Sequence, residues 1–343
     1  MYRKTLRELS QGLQSKEFSS LELTESFLKR IKKDDKRLNT FITVTEELAK
    51  EQAKEADKKI AAKKAGPLTG IPLAQKDIFC TQGVKTSCGS KMLDNFNVDT
   101  IVHLAAYVSI PESMESSFEY FQNNEMGTFN LLQNIFKTKK KPHFIYASSP
   151  EVYGNPLITP IAIDHPLYPR SVYAATKVAA EKHCYALFQW YNYPITIFRN
   201  FNTYGENQNS FTEYSAVIPI FITRALKNQP IIVHNDGNQT RDFMYVKDAV
   251  RAYLLAILNR EKAIGETFNI GTGKQTSIID LAKKIKELTN SASEIKFESG
   301  RWADLQSLEA DVSKTKEKLN WEPEFSLEEG LKRIIEWYKK FVM

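Results

Sequence analysis

Three apolar runs, at 101–106, 143–149 and 194–200, alternate with two stretches of helical pattern near 117–138 and 172–191. Runs of this kind, without polar alternation, suit strands covered on both faces, and strands joined through helices must lie parallel. The chain beyond residue 98 is therefore expected to be α/β and to hold the second half of a doubly wound parallel sheet. A smaller α/β portion follows. It holds a short strand at Ile231-Ile-Val-His234, a helix from about Ser277, and a last helix opened by the capping box Ser326-Leu-Glu-Glu329. Leu327, Leu331, Ile334, Ile335 and Tyr338 recur at helical spacing and make the core face of that last helix.

The part before residue 98 has a different texture and is expected to be mostly helical. Ser19-Ser-Leu-Glu22 has capping-box form, and Leu23, Phe27, Leu28 and Ile31 then fall on one stripe. Residues 46–64 are rich in Ala, Lys and Glu, which reads as a helix largely in water, ended by Gly66 and Pro67. Only Phe41-Ile-Thr-Val44 and Ile71-Pro-Leu-Ala74 hint at strands. The change of pattern predicts two domains, 1–97 and 98–343.

Composition bounds the function classes. A hydrophobic fraction of 42% supports a real core, and 26% charged residues is ordinary for a globular chain. The net charge of +6 is modest, and clusters such as Lys29-Arg30, Lys32-Lys33 and 137–141 read as solvated helix flanks. No nucleic-acid module accompanies them, whereas a mild positive balance suits an anionic small ligand. Cys80, Cys88 and Cys184 have neither zinc-site nor disulfide spacing, so no metal is expected. Met1-Tyr-Arg-Lys-Thr-Leu has no apolar leader, and no run is long enough to span a bilayer. A cytoplasmic protein with no membrane or nucleic-acid partner is the expectation.

The chemistry centres on Ser171-Val-Tyr-Ala-Ala-Thr-Lys177. Tyr173 and Lys177, four apart, share a helix face. An ammonium beside a phenol stabilises the phenolate and pulls its pKa from about 10 towards neutrality, where it can trade protons with a hydroxyl group. Alone, such a pair is an ordinary solvated neighbour. Here the run His143-Phe-Ile-Tyr-Ala-Ser-Ser149 precedes it and is expected to deliver Ser149 to the carboxyl end of a parallel strand, where open α/β sheets place ligands.

Further motifs follow in a fixed order. They are Ile101-Val-His-Leu-Ala-Ala106, Tyr120-Phe-Gln-Asn-Asn124 with Gly127-Thr128, Ser148-Ser-Pro-Glu-Val-Tyr-Gly154 and Tyr173-x-x-x-Lys177. Arg199-Asn-Phe-Asn-Thr-Tyr-Gly205, Thr240-Arg-Asp-Phe-Met-Tyr-Val-Lys-Asp248, Phe268-Asn-Ile-Gly-Thr-Gly273 and Asn320-Trp-Glu-Pro323 complete them. From about Val98 to Met343 the chain thus resembles the NAD-dependent epimerase/dehydratase family, the extended short-chain dehydrogenases/reductases that act on nucleotide sugars. The resemblance implies a Rossmann-like sheet, NAD as cofactor, a nucleotide-diphosphate sugar as substrate, and room for a homodimer. It implies that Tyr173 is the base, with Lys177, Ser149 and Glu151 as the other catalytic residues. Leu104, Ala105, Ala106, Asn124, Ser149, Tyr173, Lys177 and Phe201 would contact the cofactor. Asn202, Val217, Arg241, Arg301 and Asp304 would contact the substrate, where guanidinium forks match phosphate oxygens.

In the family's 4,6-dehydratases an Asp-Glu pair follows the hydroxyl residue; here Pro150 stands at the Asp position beside Glu151. A 4-epimerase needs no such pair, so transient oxidation and re-reduction fits best, with a decarboxylase or 4,6-dehydratase as alternatives. Residues 1 to about 96 resemble something else. Gly66-Pro-Leu-Thr-Gly-Ile-Pro72, Gln75-Lys-Asp-Ile-Phe79 and Lys85-Thr-Ser-Cys-Gly-Ser-Lys-Met-Leu93 resemble the amidase-signature family, closely the A subunit of aminoacyl-tRNA amidotransferase. That resemblance makes Lys76 the lysine of a Ser-Ser-Lys triad, whose serines would follow later. The chain changes at Asn97 before reaching them, and a lysine without its serine cannot carry out acyl transfer. The glycine fingerprint Gly-x-x-Gly-x-x-Gly, which lets backbone amides approach a dinucleotide pyrophosphate, occurs nowhere in the sequence. The expected chain is a hybrid: a truncated amidase-like start joined to an epimerase-like portion lacking its first βαβαβ half. An inactive hybrid is the further alternative.

Overall fold

The computed structural model describes residues 4–38, 40–41, 43–73, 98–137, 141–208, 216–300 and 305–341. The chain divides into two compact units, Met1–Asn97 and Val98–Met343. In the first, α1 (Leu6–Gln14), α2 (Ser20–Leu38) and α3 (Glu46–Ala61) are the described elements. The Ser19 hydroxyl accepts from the Glu22 N–H at 3.1 Å while the Glu22 carboxylate accepts from the Ser19 N–H at 2.8 Å, completing the capping box read in the sequence. Leu9, Leu13, Phe18 and Leu23 form a small buried cluster. No strand forms at the described residues of 41–44 or 71–73. At the first of these, the Asp35 carboxylate takes the N–H groups of Thr40 and Phe41, at 2.7 and 3.2 Å, so a side chain uses donors that a ladder would need.

In the second unit, β1 (Thr100–His103), α4 (Ile110–Glu115), α5 (Ser117–Tyr120), a π-helical turn (Phe121–Met126) and α6 (Gly127–Phe136) come first. β2 (His143–Ser148), a 3-10 turn (Pro150–Tyr153), α7 (Val172–Tyr191), β3 (Ile195–Asn200) and β4 (Asn202–Tyr204) follow. Next are α8 (Val217–Leu226), β5 (Ile231–His234), β6 (Thr240–Arg241), β7 (Phe243–Tyr245), α9 (Val246–Leu258) and α10 (Arg260–Ala263). β8 (Thr267–Ile270), β9 (Thr276–Ser277), α11 (Ile278–Thr289), β10 (Ile295–Glu298), α12 (Ser313–Leu319) and α13 (Leu327–Phe341) close the chain.

The main sheet runs β1-β2-β3-β8 and every pairing in it is parallel, with Ile101 opposite Phe144, Ile145 opposite Thr196, and Phe198 opposite Phe268. β2 is buried along its whole length, as its unbroken apolar run predicts. The expected α/β fold on a partial doubly wound, Rossmann-like sheet is the one observed. β1 is shorter than the run suggests and ends at His103. Beyond it the loop is anchored at Tyr107 by a side chain, as described below.

The smaller portion builds its own core from the parallel pair β5 and β10 and from α8, α11 and α13, with Ile218, Phe221, Ile222, Leu281, Ile285, Leu331 and Ile334 buried together. Ser326 and Glu329 exchange the predicted capping bonds at the start of α13. Just before it, the buried Asp248 carboxylate accepts from the N–H groups of Glu324 and Phe325 at 2.9 and 3.1 Å, and the Trp321 indole donates to Asp248 O at 3.0 Å.

His143, at the start of β2, makes this unit sensitive to acid. Its Nε2 lies 2.8 Å from Thr196 Oγ1, and that hydroxyl donates to Ala263 O at 2.6 Å. Thr196 therefore accepts from the ring, which leaves Nδ1 unprotonated and buried without a partner. Burial, with Arg260 adding to it, brings the imidazole down to about 4. Between pH 6.5 and 4 the unfolded chain then binds more protons than the folded one, so stability is full above about 6.5 and falls as pH drops. His103 is likewise brought to about 4 by burial and by Lys177. His143→Gln, which keeps the donor to Thr196, is expected to remove about half of the loss in urea midpoint between pH 7 and 4.5. An unaltered loss contradicts the assignment.

Candidate active site

α7 is capped by Ser171, whose hydroxyl accepts from the Ala174 N–H at 3.1 Å. From that start Tyr173, Lys177 and Glu181 fall at successive helical turns on the buried face, at 7%, 4% and 3% exposure. The Tyr-x-x-x-Lys pair is therefore not a solvated surface pair. Lys177 Nζ donates to Ala147 O at 2.8 Å and lies 5.1 Å from the Tyr146 ring centre and 5.9 Å from that of Tyr173. The bond to Ala147 uses one of the three N–H donors of the ammonium.

Ser149 leaves the carboxyl end of β2 and caps the 3-10 turn, its hydroxyl accepting from the Glu151 N–H at 3.3 Å. The turn ends at Gly154, where φ is +67° and a Cβ would collide with the carbonyl of Tyr168, so glycine is required there. The Ser149 hydroxyl lies close enough to the Tyr173 phenol to oppose the rise of its pKa. Ser149, Glu151, Tyr173 and Lys177 thus meet at the end of the sheet. The electrostatics differ from expectation. Burial pushes the Tyr173 phenol up to about 12, against the pull of the Ser149 hydrogen bond and with Glu151 reinforcing the rise. Burial brings Lys177 down to about 8, with Glu181 opposing. Desolvation outweighs the ammonium's effect on the phenol in this arrangement.

Asn124 lies in the π-helical turn, and irregular turns of this kind recur at functional sites. Its amide grips the backbone of Tyr107 at both ends, accepting from its N–H at 2.8 Å and donating to its carbonyl at 2.9 Å. It also lies 3.3 Å from Thr176 Oγ1 on α7. Its visible role is to hold the loop of Leu104, Ala105 and Ala106 beside α7. Leu104 and Ala105 in that loop are exposed. Phe201 is buried in a side cluster with Val152, Tyr153 and Ile161, so its side chain serves packing.

On the substrate side, Asn202 N–H donates to Asp242 O at 3.0 Å, and its side-chain Oδ1 is buried without a partner. Val217 opens α8 and packs on the smaller core. Arg241 donates to the carbonyls of Thr240 and Leu305, each at 2.8 Å. Arg301 and Asp304, like Lys76, Cys80 and Cys88, lie outside the described residues. Asp242 is a hub that the sequence reading passed over. Its carboxylate accepts from Thr272 N–H, Thr272 hydroxyl, Gly273 N–H and Ala310 N–H at 2.7, 2.6, 2.9 and 3.1 Å. The signal for it was its place in Thr240-Arg-Asp242, next to an expected ligand-binding arginine.

A buried Tyr/Lys pair beside a strand-end serine on a parallel sheet defines an NAD-dependent short-chain epimerase/dehydratase type of site. The family model described as GDP-mannose 4,6 dehydratase matches residues 72–334. The chain belongs to that family of NAD-dependent nucleotide-sugar epimerases, dehydratases and decarboxylases. A second model, amidase, matches residues 22–102. Among relatives, a UDP-N-acetyl-alpha-D-glucosaminuronate decarboxylase of Bacillus cytotoxicus is 38% identical over 255 residues, 71% of this chain and 77% of its own. Among solved structures, a UDP-glucose 4-epimerase with UDP-glucose from Thermotoga maritima is 34% identical with TM-score 0.68, over 71% of this chain and 78% of that one. A UDP-glucuronic acid 4-epimerase from Bacillus cereus, in complex with UDP-glucuronic acid and NAD, is 30% identical with TM-score 0.67, over 73% and 77%.

Whether the residues present fit NAD depends on which end is asked. The nicotinamide end fits: a buried ammonium with two N–H donors beyond its bond to Ala147 lies near the Tyr173 phenol, which in turn is close to the Ser149 hydroxyl. The pyrophosphate end does not, because the sequence contains no Gly-x-x-Gly-x-x-Gly fingerprint.

Proposed function

We propose that the chain carries the catalytic end of a nucleotide-sugar 4-epimerase. The observation that carries this is the buried Tyr173–Lys177 pair meeting Ser149, with Glu151 as the one carboxylate of a turn in which Pro150 stands beside it. NAD, when bound, supplies a hydride acceptor and returns the hydride. Tyr173 takes the proton of the sugar hydroxyl and later gives it back, within hydrogen-bond reach of its oxygen. Ser149 holds that same oxygen and fixes the geometry of transfer. Lys177 places positive charge beside the phenol, and its remaining donors are suited to a ribose diol. Asn202 and Arg241 bind the diphosphate, with Arg301 and Asp304 as further substrate contacts. The cytoplasm is the proposed compartment; among the described residues no helix is long and apolar enough to cross a membrane.

The products distinguish the readings. In a chain whose residues 1–97 are replaced by a glycine-rich βαβαβ segment from a relative, UDP-glucose and UDP-galactose should interconvert without loss of mass. Release of carbon dioxide from a UDP-uronate, or loss of water, would replace this reading with a decarboxylase or a dehydratase. In the native chain, Arg241→Ala should weaken UDP-sugar binding by about 1.5 to 3 kcal/mol, the range for charge-assisted hydrogen bonds. Thermal stability should change little. Equal loss of stability and affinity would make the arginine structural.

A further inference from the structure

Glu181 and Arg199 form an ion pair inside the second unit that the proposed reaction does not use. They are 3% and 6% exposed. Arg199 Nε donates to Glu181 Oε1 at 3.0 Å and Nη2 to Oε2 at 2.8 Å, a paired fork. The remaining nitrogen, Nη1, donates to the Tyr153 hydroxyl at 2.9 Å and to Ile163 O at 3.0 Å, and the guanidinium lies 4.7 Å from the Tyr153 ring centre. The Tyr153 hydroxyl in turn donates to Asn269 Oδ1 at 2.7 Å, and Asn269 Nδ2 donates to Ile161 O at 2.7 Å. A continuous polar line therefore runs from α7 through β3 and the 3-10 turn to β8.

Such a pair is a poor device for stability, because well-packed apolar residues in its place are often neutral or better. What it joins is more informative. Glu181 lies one helical turn beyond Lys177, and Tyr153 ends the turn that Ser149 caps. We propose that Glu181–Arg199 is a positioning pair: it locks the Ser149–Tyr153 turn against the face of α7 that carries Tyr173 and Lys177, and Glu181 supplies the negative charge that keeps Lys177 an ammonium inside the fold. The proposal rests on the reading of those three as working groups. The groups that act on Lys177 or lie against it are Tyr173 and Glu181 from α7, Tyr146 from β2 and His103 from β1. Near pH 7 both phenols are protonated and the His103 ring is neutral, and the Arg199 cation paired with Glu181 opposes a second positive charge, so Glu181 is the charge that favours the ammonium.

Two measurements on the full chain test this without cofactor, substrate or turnover. The first is the titration midpoint of Lys177 by NMR of lysine labelled at Cε, with Lys177→Met assigning the resonance. In Glu181→Gln, which keeps the shape of the side chain and its Arg199 partner but removes the negative charge, the midpoint should fall by about one unit or more. Glu181→Leu/Arg199→Met, which removes the two opposed charges together, serves the same readout should the Gln variant not fold, with a smaller fall expected. An unchanged midpoint in a folded variant overturns the electrostatic role, because a merely structural pair would not move it. The second is amide exchange in Tyr153→Phe, which breaks only the hydroxyl links to Arg199 and Asn269. Exchange across 150–154 should rise about tenfold while β3 is unaffected; unchanged exchange overturns the locking role. Loss of the epimerase reading would leave both results standing, and their failure would leave that reading standing.

Discussion

Tyr173→Phe is expected to lower turnover by at least about a hundredfold in a chain given a glycine-rich βαβαβ segment, the usual scale of general acid/base work. The ring is buried against its neighbours, so Phe keeps the packing and removes only the hydroxyl that Ser149 reaches. Nucleotide-sugar affinity should change little, because the residues read as binding the diphosphate, Asn202 and Arg241, lie on β4 and β6. The raised phenol makes the effect stronger in one direction. With burial pushing it up to about 12, Tyr173 is a protonated donor at neutral pH until cofactor and substrate alter its surroundings. Turnover should accordingly rise with pH, and Lys177→Met should move that rise upward. A near-normal rate for the Phe variant would take Tyr173 out of the mechanism.

The parts of the fold that could be read from sequence were those set by local rules. The apolar run Phe144-Ile-Tyr-Ala147 is a fully buried central strand, and both capping boxes, at Ser19 and Ser326, form as their spacing dictates. The i,i+4 spacing placed Tyr173 and Lys177 on one face, and the strand end placed Ser149 beside them. What escaped was set by tertiary contact. Nothing local in Ile101–Ala106 says that β1 stops at His103 or that the loop after it is anchored by the Asn124 amide, seventeen residues beyond Tyr107. Pairing by charge alone also misjudged the phenol, since desolvation depends on how deeply the fold buries it. Asp242 and Glu181–Arg199 were passed over because each is an unremarkable residue in sequence and acquires its role from partners thirty, sixty-eight or eighteen positions away.

If this chain holds the catalytic end of a nucleotide-sugar epimerase, as proposed, its sequence lacks the fingerprint that cradles the dinucleotide's pyrophosphate. Lys177, Tyr173 and Ser149 are proposed to contact only the nicotinamide side, and the sequence holds no Gly-x-x-Gly-x-x-Gly fingerprint to offer backbone amides to the phosphates. β1, which pairs only with β2 among the described residues, carries Val102 at 38% exposure and leads to Leu104 at 62%. A parallel edge of this kind invites association and is where further strands would add. Titration calorimetry of NAD into the purified full chain tests the claim most directly. No binding in the micromolar range is expected, with affinity restored when residues 1–97 are replaced by a glycine-rich βαβαβ segment. Micromolar binding by the native chain would contradict it and would show that residues 1–97 build a dinucleotide site of another design.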